Sequence, residues 1–514
     1  MSMFKSSKSW LIVAAYFFIV PAYANGTSTF IADEFYKNGE YLKAKQAYAE
    51  IAPLGSPHAY YQLGRIHYEG LGTEQDLLSA IVYFSLAAEY QFIDAEKAAM
   101  ALLTALPASD QIAARKLVSQ YKEKYGKAVL ASKYFPEIKH ESLANTLSFG
   151  GEGILQIDYR DPELFLDDFS VGVTTFDDEF GFFEDDNYLR GSDNSSAQPF
   201  SREKQFEERT PNRLLRDLEP FIIVDYDLAP DGSIRNIREV DTFGYNIPRL
   251  LQQLSRHSAP APVYDGKRTY FTGRAFLGIA AMTKWEVQQR EAYIFSYIKR
   301  KARQLKKSED IEDLFQYAVA LQNFRWLPQA ENESIEIMEK VAKTGHVIAQ
   351  FELGARMYRE QRDIPKAIEW IIAASQHGYA PAAYMLGHIL QNSPWVINDE
   401  KKALFWYQRA ATEGSPHATL KAAELLLLAK NAELHDVEQA QAYLRSIETS
   451  QEKNPEYYFL RAVARKNASQ RDMQLVVKDI QKAISRGKTL HWDVSYWESL
   501  LDAWTTGRVL IKDL

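Results

Sequence analysis

The chain is 514 residues long, 46% hydrophobic and 25% charged, enough for about three or four units of ordinary domain size folded around apolar interiors. Its net charge of -8 excludes nucleic acid as the main partner, because phosphate binding needs a concentrated positive field. The absence of cysteine excludes disulfides, thiolate zinc sites, cysteine nucleophiles and a lipid-bearing cysteine.

Lys5 and Lys8 precede an apolar run from Trp10 to Val20, and Ala22-Tyr23-Ala24 puts small residues at both cleavage-recognition positions. This pattern predicts a secretory signal peptide over residues 1–24, cut after Ala24. The run is about half the roughly 20 residues that cross a bilayer, and no later segment is long and apolar enough to span. The expected compartment is the periplasm of a Gram-negative bacterium.

Four stretches then align from a glycine: Gly55 to Gly64, Gly345 to Gly354, Gly378 to Gly387 and Gly414 to Ala423. An alanine recurs four places on (Ala59, Ala349, Ala382, Ala418), and Leu-Gly closes three of the four. A left-handed glycine ends one helix, and Ser56-Pro57 or Ser415-Pro416 opens the next with a capping hydroxyl and a first-turn proline. The small residues let paired helices approach closely. Upstream of each glycine an amphipathic helix is expected: Leu42–Ala52, Ser334–Ala342, Ala367–Ser375 and Ala403–Ala411. Ala367, Trp370, Ile371 and Ala374 fall on one helical face, a pattern that Ala403, Trp406, Tyr407 and Ala410 repeat.

With His67-Tyr68-Glu69-Gly70-Leu71-Gly72 and the run from Ala80 to Ala88, these units resemble the Sel-one-like repeat, a relative of the tetratricopeptide repeat, over roughly residues 33 to 105 and 313 to 425. Two places depart from the pattern. Met357-Tyr358-Arg359 lacks the Gly-x-Gly turn, and His388–Glu400 is lengthened. The resemblance implies a scaffold for protein contacts.

Residues 150 to 200 hold a dense acidic run with interleaved phenylalanines, which reads as a solvated linker; the alternative is a site for calcium or a basic partner. Phe221–Leu228 alternates as a strand, with Ile222, Val224, Tyr226 and Leu228 on one face and Asp225 and Asp227 on the other. Ala229-Pro230-Asp231-Gly232 is a turn, Ser233–Val240 a bulged return strand, and Ile247–Arg256 a short helix. Pro260 and Pro262 lead through Asp265-Gly266 into a third strand, Thr269–Ile279. This order resembles the TonB C-terminal domain, although that family's entry Tyr-Pro and its tryptophan before the prolines are missing. The resemblance implies that the last strand offers its edge to a peptide, along Thr269, Phe271, Gly273, Ala275 and Leu277. Main-chain pairing of that kind needs no special side chains. A strand buried by a neighbouring repeat is the alternative.

The basic run Lys299, Arg300, Lys301, Arg303, Lys306 and Lys307 reads as a solvated helix face, with contact to an anionic surface as the alternative. Ser201 to Lys204, Ser192 to Asn194 and Lys343 to Gly345 mimic the three motifs of serine β-lactamases, but in the wrong order, and the last is a helix-ending turn. Ser296-Tyr-Ile-Lys299 has no supporting base. Asp227 to Gly232 echoes a calcium loop, yet Arg238 stands where a bidentate Glu is needed. His58 and His417 at helix starts read as capping or packing residues. No catalytic residue, cofactor or metal ligand is therefore assigned.

The expected architecture is mainly α, with helix-pair repeat solenoids in two blocks flanking a small α+β domain. Residues 1–24 are the signal peptide, 25–135 repeats, 136–205 the acidic linker and 206–282 the TonB C-terminal-like domain. Repeats resume over 283–436, and 437–514 form a helical capping region. The expected function is a periplasmic, non-catalytic scaffold for protein or peptide partners. The alternatives are a component of TonB-dependent outer-membrane transport and a cell-wall or β-lactam-acting hydrolase.

Overall fold

The computed structural model describes residues 28–150 and 219–506. The expected leader, most of the acidic linker, two of the three β-lactamase-like motifs and residues 507–514 lie outside the described residues.

Helices α1 (Thr29–Lys37), α2 (Tyr41–Ile51), α3 (Pro57–Glu69), α4 (Leu77–Ala88), α5 (Ala95–Ala105), α6 (Ala108–Tyr125) and α7 (Lys127–Tyr134) form the first block. The chain then reaches strand β1 (Ser148–Gly150). The central element comprises β2 (Phe221–Leu228), β3 (Ile234–Phe243), α8 (Ile247–Leu254), β4 (Ala261–Tyr264), β5 (Lys267–Arg268) and β6 (Phe271–Gly278). Helices α9 (Lys284–Arg290), α10 (Ala292–Leu305), α11 (Ile311–Asn323) and α12 (Glu333–Lys343) follow. The second block continues with α13 (Val347–Arg359), α14 (Ile364–Ser375), α15 (Ala380–Asn392), α16 (Glu400–Thr412), α17 (Pro416–Leu428) and α18 (Val437–Ser446). It ends with α19 (Pro455–Asn467), α20 (Met473–Thr489) and α21 (Ser495–Thr505).

The repeat chemistry is realised as the sequence implies. Gly55, Gly345, Gly378 and Gly414 all take positive φ, between +76° and +91°. Ser56 and Ser415 accept from the backbone N–H three residues on, and a proline follows each. At the recurring Leu-Gly, a Cβ on Gly354 would lie 2.8 Å from the Ala367 carbonyl, and on Gly387 2.8 Å from the Tyr407 ring. These glycines set how closely the two helices of a pair approach.

Both departures from the repeat pattern have structural reasons. Between α13 and α14, Gln361 and Asp363 take the left-handed conformation that glycines supply elsewhere. The lengthened loop after α15 receives the segment that leaves the first block. Ile138 bridges Val396, Lys139 N–H donates to the Trp395 carbonyl, and the Trp395 indole donates to the Asn145 carbonyl. Tyr134 stacks on Phe405 at 4.2 Å, and Thr29 N–H donates to the His377 carbonyl. The two repeat blocks share one apolar core.

The main sheet has the order β3-β2-β6 and is antiparallel throughout. β3 is bulged opposite Ile223/Val224 and Asp225/Asp227, as expected. The stretch read as a Pro-rich loop is instead a hairpin. β4 and β5 turn at Asp265-Gly266, and β4 pairs with β1, so residues before 151 are built onto the insertion. One sheet face, with Ile222, Val224 and Tyr226, packs under Leu250, Leu251 and Leu254 of α8. The other face, with Phe221 and Ile223, packs on Ile294, Ile298, Phe324 and their neighbours in α10 and α11. All eight residues of β2 are buried.

Candidate interaction groove between sheet and repeats

Asp225 and Asp227 share the face that Phe221 and Ile223 begin, and that face meets the first helices of successive repeats. The two carboxylates are 7% and 3% exposed. A buried carboxylate must be paired to stay charged, and each of these is. Arg274 of β6 holds Asp225 bidentately, at 2.6 and 3.0 Å, and reaches Glu352 of α13 at 2.5 and 3.0 Å. Arg359, also on α13, stands 3.5 Å from Asp225. Asp227 accepts from Arg238 at 2.9 Å, from Asn236 at 3.0 Å and from the Tyr384 hydroxyl of α15. The Arg238 guanidinium lies over the Tyr384 ring, 4.1 Å from its centre.

The ladder continues along the repeats. Arg235 bonds Asp231 at 3.0 Å and Glu456 of α19 at 2.8 Å, while Lys421 of α17 approaches Glu456 at 3.6 Å. The Asp231 turn is also fastened to the C-terminal helices, by the Asp493 N–H at 3.1 Å and by Arg235 over the Trp492 ring. Helices α13, α15, α17 and α19 thus each contribute a side chain to a row of three adjoining polar clusters along the sheet, each built around a buried or half-buried aspartate. Arg238, which spoils the calcium-loop pattern, neutralises Asp227 itself.

The electrostatics follow from this packing. Burial would raise the Asp225 and Asp227 carboxyls, but Arg274 and Arg359 for the first, and Arg238 for the second, outweigh it and hold both below the usual range. Asp241, opposite Ile223, is pushed up to about 7 by burial and by Glu352. Burial, aided by Arg238 and Lys421, lowers His388 and His417 to about 4, so both imidazoles are neutral at pH 7.

Between the sheet and the starts of α15 and α17 lies a cavity of about 350 Å³. Its wall includes Phe351, Tyr379, Tyr384, Met385, His388 and His417. It is bordered by four consecutive residues of β3, Ile237 to Val240, by the alternate pair Asp225 and Asp227 of β2, and by Thr272 of β6, so it reaches from the β3 edge across the sheet face that carries the two aspartates. β3 is the outer strand of its sheet on this side, and its bulges turn consecutive side chains toward the cavity. His388 is 4% exposed, and its Nε2 has no hydrogen-bond partner among the described residues; nor has His417 Nδ1. The groove therefore offers a strand edge, an apolar floor and two unused imidazole nitrogens.

The strand expected to receive a peptide, β6, forms the opposite edge of the sheet. Phe271 is packed among Tyr358, Trp395 and Phe149, and Ala275 is fully buried. Gly273 lies under the Tyr226 ring, and Thr269 N–H donates to the Pro262 carbonyl. Leu277, like Thr269 and Gly273, is half-buried. Lys343-Thr344-Gly345 is the end of α12, and Ser296 stands on α10. His58 packs against the Tyr48, Phe92 and His377 rings, the packing role expected of it, and bonds Asp33 at 2.7 Å, while His417 lines the groove. Among the described residues no three metal-ligating side chains converge.

The ionic ladder was not anticipated, although two signals point to it. Folding the hairpin at Asp231-Gly232 sets Arg238 and Arg235 opposite Asp225 and Asp227. In the aligned repeats, the seventh place after the glycine holds Glu352 and Lys421 within otherwise small or apolar runs.

The repeat geometry has a counterpart among known families. The Sel1 repeat model matches residues 57–89, 347–379 and 380–415. Repeats of this family generally mediate protein–protein contacts, and no catalytic family is indicated. The chain is similar to the crystal structure of a Sel1 repeat protein from Oxalobacter formigenes, at 21% identity and a TM-score of 0.31, covering 41% of this chain and 61% of that one. It thus spans less than two thirds of that protein. It is similar also to c5321, a protective antigen present in uropathogenic Escherichia coli strains that displays an SLR fold. There the identity is 17%, the TM-score 0.29 and the coverage 95% of this chain and 88% of that one. No curated protein matches the chain.

Proposed function

We propose that this chain is a periplasmic, non-catalytic interaction scaffold that takes an extended peptide of a partner protein into the groove along β3. The leader-like sequence over residues 1–24 supports export. The cavity bordered by a strand edge and by two repeat helix starts supports peptide capture, because main-chain pairing supplies affinity and a side-chain pocket supplies selectivity. Rigid neighbouring repeats hold such a groove open at little entropic cost. The element order resembling the TonB C-terminal domain is compatible with strand addition, on β3 rather than on the more deeply packed β6.

Fractionation of expressing cells tests the compartment, and a photo-crosslinker tests the groove. With the crosslinker at exposed Glu239, discrete adducts should form in living cells and vanish when Met385→Trp fills the cavity in a protein of unchanged helicity. A crosslinker at exposed Arg115 should give none. Equal adducts at both positions, or retention of the chain in the cytoplasm, would sink the proposal.

A further inference from the structure

Helix α10 buries Ile294, Ile298, Ala302 and Leu305 against the sheet and α11 and turns its other side outward. On that outer side Tyr293, Arg300 and Arg303 are exposed and Tyr297 is half-buried, a spacing that places them on one face. The preceding helix, α9, adds Trp285, which is 69% exposed, the highest value among the aromatic side chains of the described residues. Residues 284–307 contain eight Lys and Arg against two Glu, in a chain whose net charge is -8.

The acids within this stretch are already engaged. Glu286 closes the capping box of Thr283, and Glu291 accepts the Glu219 N–H at 3.3 Å. Lys306 is paired with Glu333 at 3.0 Å. Among the described residues, no salt bridge joins Arg300, Lys301, Arg303 or Lys307 to a carboxylate. Arg300 lies over the Tyr297 ring at 5.8 Å, and these four cations without carboxylate partners follow the exposed Trp285 along two consecutive helices.

We infer that this face seats the protein on an anionic phospholipid surface. The Trp285 indole lies at headgroup level, with an apolar body below and a polar edge toward water. Arg300, Lys301, Arg303 and Lys307 face the lipid phosphates, and each cation close to such a surface strengthens binding about fivefold. No helix of the described residues is long and apolar enough to cross a membrane, so the contact is peripheral. It leaves the groove along β3 clear of α10 and holds the scaffold against an envelope membrane. The inference stands whether or not a peptide occupies the groove.

Co-sedimentation of the chain from Asn25 onward with vesicles is the test. The protein should pellet with phosphatidylglycerol–phosphatidylcholine vesicles at about 3:7 and remain in solution with phosphatidylcholine alone, the binding being lost at about 0.5 M salt. Arg300→Glu with Arg303→Glu should weaken partitioning at least about tenfold, and Trp285→Ala about threefold or more. Arg115→Glu with Lys116→Glu makes the same change in net charge on the exposed side of α6 and should alter it less than about twofold. The inference is overturned if the parent fails to pellet, or if the α6 reversal is as damaging as the α10 reversal. It is equally overturned if the parent pellets only after its acidic segment, residues 151–218, is excised, because that segment would then be the occupant of the patch.

Discussion

At Arg274 a single guanidinium bridges two buried carboxylates that belong to different elements, Asp225 of the sheet and Glu352 of a repeat, with Arg359 beside Asp225 as the second cation. Breaking one side of a buried ionic group leaves uncompensated charge, which costs far more than an intact pair contributes. Arg274→Met should therefore destabilise the fold by about 3–5 kcal/mol in urea unfolding at pH 7. Arg274→Lys should recover only part of the loss, because an ammonium cannot make both bidentate contacts. The histidines set an opposite pair of pH effects against Asp241. His388 and His417 titrate near 4 in the fold and near 6.5 when unfolded, so the unfolded state binds more protons between those values. Their contribution is present above about 6.5 and is lost as pH falls toward 4. Asp241, at about 7 in the fold and 3.8 unfolded, contributes below about 4 and loses that contribution as pH rises through 7. His388→Gln should thus retain on the order of 2–3 kcal/mol more stability at pH 4, relative to pH 7, than the parent. A parallel loss in both proteins would mean that the imidazole is solvated. Asp241→Asn should raise stability at pH 8. The alternation of β2 correctly separates its two faces. It does not reveal that the acidic face is buried, because the compensating cations lie on other strands and helices.

Among elements, the repeat units were legible because their signals are local. A left-handed glycine, a capping serine, a first-turn proline and a small residue at the helix crossing each act within a few residues. Gly354→Ala tests the crossing. The added methyl would meet the Ala367 carbonyl, which is backbone and cannot swing aside, so a loss of about 1–3 kcal/mol is expected in thermal or urea unfolding. The long loop after α15 was legible only as a departure from the pattern. Its purpose depends on Ile138 and Asn145, about 250 residues earlier in the chain. Trp395 is the buried plug of that junction, so Trp395→Ala should cost about 3–5 kcal/mol and speed proteolysis between residues 136 and 147. Unchanged cleavage there would indicate that the segment is held by other contacts. The hairpin of β4 and β5 escaped notice for the same reason, since β4 finds its partner in distant β1.

Across the whole molecule, the sheet inserted between the two repeat blocks is not an appendage. It is bound to the row of repeat first helices by the ladder from Glu352 to Glu456, and the groove along β3 exists because the two sides are held apart and together by those charges. Native-state hydrogen exchange of the full chain, compared with Arg274→Met, measures this coupling directly. The amides of β2 should exchange with the same opening energy as those of α13 and α15, and the substitution should lower all three together. If β2 and β6 instead lose protection while α13 and α15 keep theirs, sheet and repeats are separate units and the groove is not built by their union.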